Sequence, residues 1–137
     1  MSEENVEIVR SVYEAVNRED WDAVFRDQSP DVELTTPPGP RGGTYRGREE
    51  CQGYFQEWLT AFEEVNVEPE ELLESGDQVA VILKVRARPK GSSAEVEIRN
   101  GHLWAFRDGK AVSMRMFPEP ENALEAAGRG SRRYLGY

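Results

Sequence analysis

Cysteine and histidine are nearly absent from this 137-residue chain, which has one of each, Cys51 and His102. A lone cysteine cannot close an intrachain disulfide, so the chain reads as a cytoplasmic protein. One His and one Cys are too few for a structural zinc site of the usual kind. An all-carboxylate site for a hard cation is the metal chemistry that counting leaves open, and no motif calls for a cofactor. Basic residues are also in deficit, 17 Lys and Arg against 26 Asp and Glu for a formal charge of −9. That balance argues against nucleic acid and anionic membranes as partners. No apolar run approaches the roughly 20 residues a spanning helix needs. The start, Met1-Ser2-Glu3-Glu4, is acidic where a signal peptide is basic. The cluster Gly39, Gly42, Gly43 and Gly47 matches no phosphate-loop spacing and contains no Lys. What remains is one acidic domain, expected over residues 1–128, followed by a basic tail at 129–137 expected to be mobile.

The pattern along the chain is helical first and alternating later. Val6, Val9, Val12, Tyr13 and Val16 recur at helical spacing behind Ser2, predicting a helix over about 3–17. Asp20 can cap a short second helix carrying Trp21, Val24 and Phe25, which Pro30 ends. Residues 32–36 fit an edge strand closed by Pro37 and Pro38, and 37–47 reads as a loop or flap. Cys51, Tyr54, Phe55, Trp58, Leu59 and Phe62 form one apolar stripe on a third helix, about 48–64. From Val79 the period changes to two, with Lys84, Arg86 and Arg88 placed to pair with Glu95 and Glu97 of the next strand. Asp108-Gly109 signals a two-residue hairpin into a strand carrying Val112, Met114 and Met116, and a last helix runs from Pro120 to Gly128. Helices followed by a long meander predict an α+β fold, helices packed on one face of a curved, mostly antiparallel sheet that encloses a cavity.

The anomaly lies on one strand face. Asn100 and His102 are in phase with Val96, Ile98, Trp104 and Phe106, so the alternation that buries the aromatics turns an amide and an imidazole inward. A buried polar group without a partner costs roughly 1–3 kcal/mol, so both must bond to something. They can satisfy each other, a helix-borne hydroxyl or a buried water, or Asn100-Gly101 can mark a bulge. Alternatively they are the few polar groups of an apolar ligand pocket. Tyr13 can offer a phenol to the same space, with Trp21, Tyr54, Phe55, Trp58, Trp104, Met114 and Met116 as walls. Cys51 reads as a buried, inert thiol. Glu119, beside Pro120, is either an acid at the cavity mouth or an anion favoured at a helix N-terminus.

The stretches Val12 to Asn17, Asp20 to Ala23, Tyr45 to Glu49, His102 to Lys110 and Ala123 to Gly128 together resemble the nuclear transport factor 2-like superfamily, in particular its SnoaL-like polyketide cyclase and ketosteroid isomerase branches. The resemblance implies a cone-shaped α+β scaffold and leaves the reaction open, since that scaffold carries isomerases, cyclases, dehydratases, epoxide hydrolases and many non-enzymes. Val112 to Phe117 resembles the last strand of ketosteroid isomerases and fixes a register. In that register the isomerases' hydrogen-bond-donating Asp falls on His102, their general base on Thr36 and their helix Tyr on Val12, one residue short of Tyr13. None of the three is kept by residue type, so that isomerase mechanism is not expected. The cyclases' acid falls near Glu119, which leaves His102 with Glu119 as the acid–base pair the resemblance supports.

Two functions follow. One is a cofactor-independent isomerase, cyclase or hydratase for a small apolar carbonyl or polyketide-like molecule, with His102 as acid–base, Asn100 and Tyr13 donating to an oxyanion, and Glu119 assisting. The other is a non-catalytic domain that binds such a molecule, or a structural homodimer joined through the outer sheet face carrying Ile82 and Leu103.

Overall fold

A computed structural model describes residues 2–128 and 132–135. Helices α1 (Ser2–Asn17) and α2 (Trp21–Phe25) lead into strand β1 (Gln28–Thr36), the short strand β2 (Gly43–Arg46) and helix α3 (Gly47–Leu59). The long strands β3 (Phe62–Ser75), β4 (Gln78–Pro89) and β5 (Val96–Arg107) follow, then β6 (Lys110–Phe117), α4 (Pro120–Ala127) and β7 (Arg132–Leu135). The strands form one curved, open sheet in the order β2-β1-β6-β5-β4-β3-β7, antiparallel except where β1 meets β6. This is the expected α+β architecture. Among the described residues no helix is long and apolar enough to cross a membrane, and no three His, Cys, Asp or Glu side chains stand together as a metal site.

The inner face of the sheet and the apolar faces of α1, α2 and α3 make the main core, with Val6, Val9, Leu72, Val79 and Val81 fully buried. At the end of α1 the Asn17 amide imitates a neighbouring strand. It donates to the Val67 carbonyl at 2.9 Å and accepts from the Val67 N–H at 2.7 Å, tying α1 to β3. Tyr13, one turn earlier on the same helix face, is thereby aimed at the centre of the sheet. The Asp108-Gly109 hairpin is present as read, with both residues at positive φ as a type I′ turn needs.

The outer face differs from the sequence reading. Helix α4 lies across it and buries Leu73, Ala80 and Leu103 against Ala123 and Ala127. A side chain at Gly101 would meet the Ala123 Cβ at 2.7 Å, so Gly101 marks the close approach of α4 rather than a bulge. The apolar outer surface invoked for a dimer, Ile82 and Leu103, is therefore already covered within the chain, each under 10% exposed. Beyond α4 that face is a lattice of ion pairs. Arg88 meets Glu64 at 3.1 Å, Arg99 meets Glu70 at 2.7 Å, and Arg86 lies between Glu68 and Glu97 at 3.9 and 3.8 Å.

Those glutamates explain an omission. β3 is the longest strand, yet its run of Glu residues around Pro69 lacks the usual strand composition. Cross-strand partners on β4 and β5 supply the compensation, and a register shift between Pro69 and Glu71 accommodates the proline. Three boundaries also move. β1 begins at Gln28 and runs through Pro30, which sits inside a register shift. Part of the expected flap is strand β2, and α3 ends at Leu59 rather than near 64. Within the segment expected to be a mobile tail, Arg132–Leu135 pairs antiparallel with β3 as β7, while 129–131 and 136–137 lie outside the described residues.

Candidate functional site

Between the inner sheet face and α1, α2 and α3 lies a cavity of about 260 Å³. Tyr13, Tyr54, Phe55, Trp58, Asn100, His102, Trp104, Met114 and Met116 line it, as the sequence suggested. Two expected members do not. Trp21 packs against the outside of the core, and Glu119 is exposed at the N-cap position of α4 without making a capping bond. His102 and Glu119 are thus not brought together: the resemblance placed a carboxylate after the last strand, but the chain turns outward there to lay α4 on the opposite sheet face. Thr36 is not in the cavity wall either. Its hydroxyl accepts from the Gly43 N–H at 3.0 Å and donates to the Arg41 carbonyl at 3.2 Å, closing the β1–β2 turn.

Residues missed from the sequence include Gln28, Leu34, Cys51, Leu83, Val85, Phe117 and Pro118. The alternation already placed Leu83 and Val85 inward, so those two were within reach. Gln28 was not, because β1 was read as starting four residues later.

The polar centre is a chain of three side chains. The Trp104 indole N–H donates to the Tyr13 hydroxyl oxygen at 2.9 Å, and that hydroxyl lies 2.7 Å from His102 Nδ1. All three residues are at most 5% exposed. Burial lowers the His102 pKa to about 4, so the ring is neutral at pH 7. Burial likewise drives the Tyr13 phenol well above its ordinary value, a shift that its bond from Trp104 only partly opposes. Proton counting then assigns the tautomer. The indole can only donate, so the Tyr13 oxygen accepts from it; the arrangement that also uses the phenol proton has Tyr13 donating to Nδ1 and the single ring proton of His102 on Nε2. Among the described residues no protein group bonds Nε2. Asn100, one pleat along β5, has its Oδ1 buried with no hydrogen-bond partner.

Among the described residues no Asp, Glu, Lys or Arg lines the cavity. Burial and the nearby Glu50 push the Cys51 thiol up to about 11, and burial with Tyr45 beside it raises Tyr54. Among the described residues the cavity is therefore uncharged at neutral pH and largely apolar in its walls, with the His102 imidazole and two amides, Asn100 and Gln28, as polar groups.

These features define a class: an α+β cone whose helices and curved sheet close on a largely apolar cavity. The chain belongs to the SnoaL-like domain family, whose family model matches residues 9–114. No curated protein matches it. Among solved structures it is similar to a nuclear transport factor 2-like protein of unknown function from Burkholderia pseudomallei, at 27% identity and TM-score 0.77, over 91% of this chain and 98% of that one. It is also similar in fold to TerC co-crystallised with polyporic acid, at 24% identity and TM-score 0.77 over 90% and 98% of the two chains. A third similar fold is a Mycobacterium tuberculosis protein in complex with estradiol-17beta-hemisuccinate, at 21% identity and TM-score 0.68 over 81% and 90%.

Proposed function

We propose that the cavity binds a small, uncharged, largely apolar carbonyl compound whose oxygen accepts the His102 Nε2–H. One observation carries this reading. The Trp104–Tyr13–His102 chain supports a neutral imidazole that accepts at Nδ1 and donates from Nε2, in a space that no charged side chain lines among the described residues. Such a donor is worth several times more in a dry cavity than in water, and it orients a carbonyl while an ion is rejected by desolvation. That two structural neighbours hold polyporic acid and estradiol-17beta-hemisuccinate supports a small-molecule role for the shared scaffold.

Binding is favoured over acid–base turnover. An isomerase, cyclase or hydratase of the expected type needs a second group that exchanges protons near neutral pH, and the thiol and phenols of this cavity are all pushed away from it. A hydrogen bond from His102 still stabilises an enolate-like oxygen, so the site polarises what it binds. Titration with 1-tetralone and with tetralin, which lacks the carbonyl, tests the reading through the intrinsic tryptophan fluorescence, to which Trp58 and Trp104 of the cavity wall contribute. The wild type should prefer the ketone several-fold, and His102→Phe should abolish the preference while still binding both. Equal affinity of the wild type for ketone and hydrocarbon would refute it.

A further inference from the structure

The two amides of the cavity wall differ in what already holds them. Gln28 Nε2 donates to the Val24 carbonyl at 2.9 Å, so that side chain is tied to the backbone. Asn100 has no such tie. Its Oδ1 is buried without a hydrogen-bond partner, although His102 stands only two residues along the same strand. Leu83 lies opposite it on β4, and β6 begins to pair with β5 only at Gly101, so among the described residues neither flanking strand sets a polar side chain beside it. A buried amide kept for the fold alone is bonded in the great majority of proteins, and one left unbonded costs stability. Within the described chain nothing offsets that cost at Asn100.

We propose that Asn100 is the residue that selects a hydroxyl on the bound ketone, so that the cavity takes hydroxyketones, the carbonyl accepting from His102 and the hydroxyl donating to Asn100 Oδ1. This rests on the ketone-binding role of the cavity and adds the second polar group. The unpaired acceptor decides the chemistry of that group. A second carbonyl or an ether oxygen has no proton for Oδ1, whereas a hydroxyl has one. An ammonium group also donates, but it would carry a charge into a space that no charged side chain lines among the described residues. Spacing decides where the hydroxyl sits. Residues two apart on one strand face stand roughly 6–7 Å from each other, so the hydroxyl lies about that far from the carbonyl rather than beside it. The last torsion of an asparagine side chain is soft, which lets the amide turn Oδ1 to meet the ligand. A flat two-ring hydroxyketone meets both groups while its rings pack on Trp58, Trp104 and Met116.

Isothermal titration calorimetry of the full chain with 1-tetralone, 5-hydroxy-1-tetralone and 5-methoxy-1-tetralone tests the assignment. In the hydroxy compound the two oxygens stand across the ring system from each other, and the methoxy compound lacks only the donor. The wild type should bind the hydroxy compound about fivefold or more tightly than either of the others. Asn100→Leu keeps the shape of the side chain without the amide and should reverse that order, because the hydroxyl is then buried unpaired. The same variant should unfold at the same urea concentration as the wild type or a higher one, since it removes a buried polar atom that has no partner. An amide held for the fold alone would instead lower it. A wild type that gains nothing from the hydroxyl, a methoxy compound that binds as well as the hydroxy one, or an Asn100→Leu variant that keeps the wild-type order or loses stability would each overturn the proposal. If 1-tetralone is still preferred to tetralin in those cases, the ketone site stands and only the role of Asn100 falls. Loss of that preference as well overturns both.

Discussion

Tyr13 and His102, 89 residues apart in the chain, are joined by a 2.7 Å hydrogen bond, and which of the two donates decides which nitrogen of the imidazole carries the proton. Replacing the phenol tests this directly. Tyr13→Phe leaves the Trp104 N–H and His102 Nδ1 both buried without a partner, at a cost of about 2–4 kcal/mol in denaturant unfolding. In the wild type, ¹⁵N NMR of the ring should show a pyrrole-type Nε2 and an accepting Nδ1. The variant should lose that single-tautomer signature, and persistence of the signature would break the proton assignment.

The same histidine makes stability depend on pH. Its pKa is 6.5 when unfolded and about 4 when folded, so between those values the unfolded chain binds a proton that the folded chain refuses. The contribution is intact above pH 6.5 and is lost progressively as pH falls to 4, amounting to about 3 kcal/mol. Urea unfolding across this window should show the slope in the wild type and a much smaller one in His102→Gln, the carboxylates being common to both.

Gly101 lets α4 lie against the back of the strand that carries His102. Gly101→Ala forces its Cβ toward the Ala123 Cβ and should destabilise by about 1–3 kcal/mol. Ala123→Gly in the same chain removes the nearest obstacle, so the double variant should recover a measurable part of the loss. Additive losses would mean that the Pro120 backbone, 3.1 Å away, sets the limit instead.

Asn17 has a structural role that reaches the site. Asn17→Ala leaves both the N–H and the carbonyl of Val67 without their side-chain partner and should cost about 2–4 kcal/mol. Because α1 also carries Tyr13, affinity for 1-tetralone should fall with it. An affinity loss without a stability loss would contradict the clamp.

Glu119→Gln should leave ketone affinity unchanged, since the side chain is exposed at the start of α4. A change would show that the cavity extends to that carboxylate.

The fold was legible because its signals are local. The 3.6-residue stripes of α1 and α3, the alternation of β4 and β5, and the Asp108-Gly109 turn each report on a few neighbouring residues. β3 escaped because its Glu-rich outer face is stabilised by arginines and a lysine on other strands, a compensation no local window contains. The candidate site was half legible. Alternation alone turns Asn100, His102 and Trp104 inward, whereas the exclusion of Glu119 depends on where the chain goes after β6.

The sequence by itself determined every element but β2, β3 and β7, the inward turn of Asn100, His102 and Trp104, and the scarcity of histidine and cysteine. Periodicity and composition are properties of the chain before it folds. Only the tertiary structure decided that the Tyr13 hydroxyl meets both His102 and Trp104, that Glu119 stands away from the cavity, and that α4 covers the outer face. Each of these depends on groups distant in sequence meeting at hydrogen-bond or van der Waals distance, and local patterns carry no record of which distant segments meet.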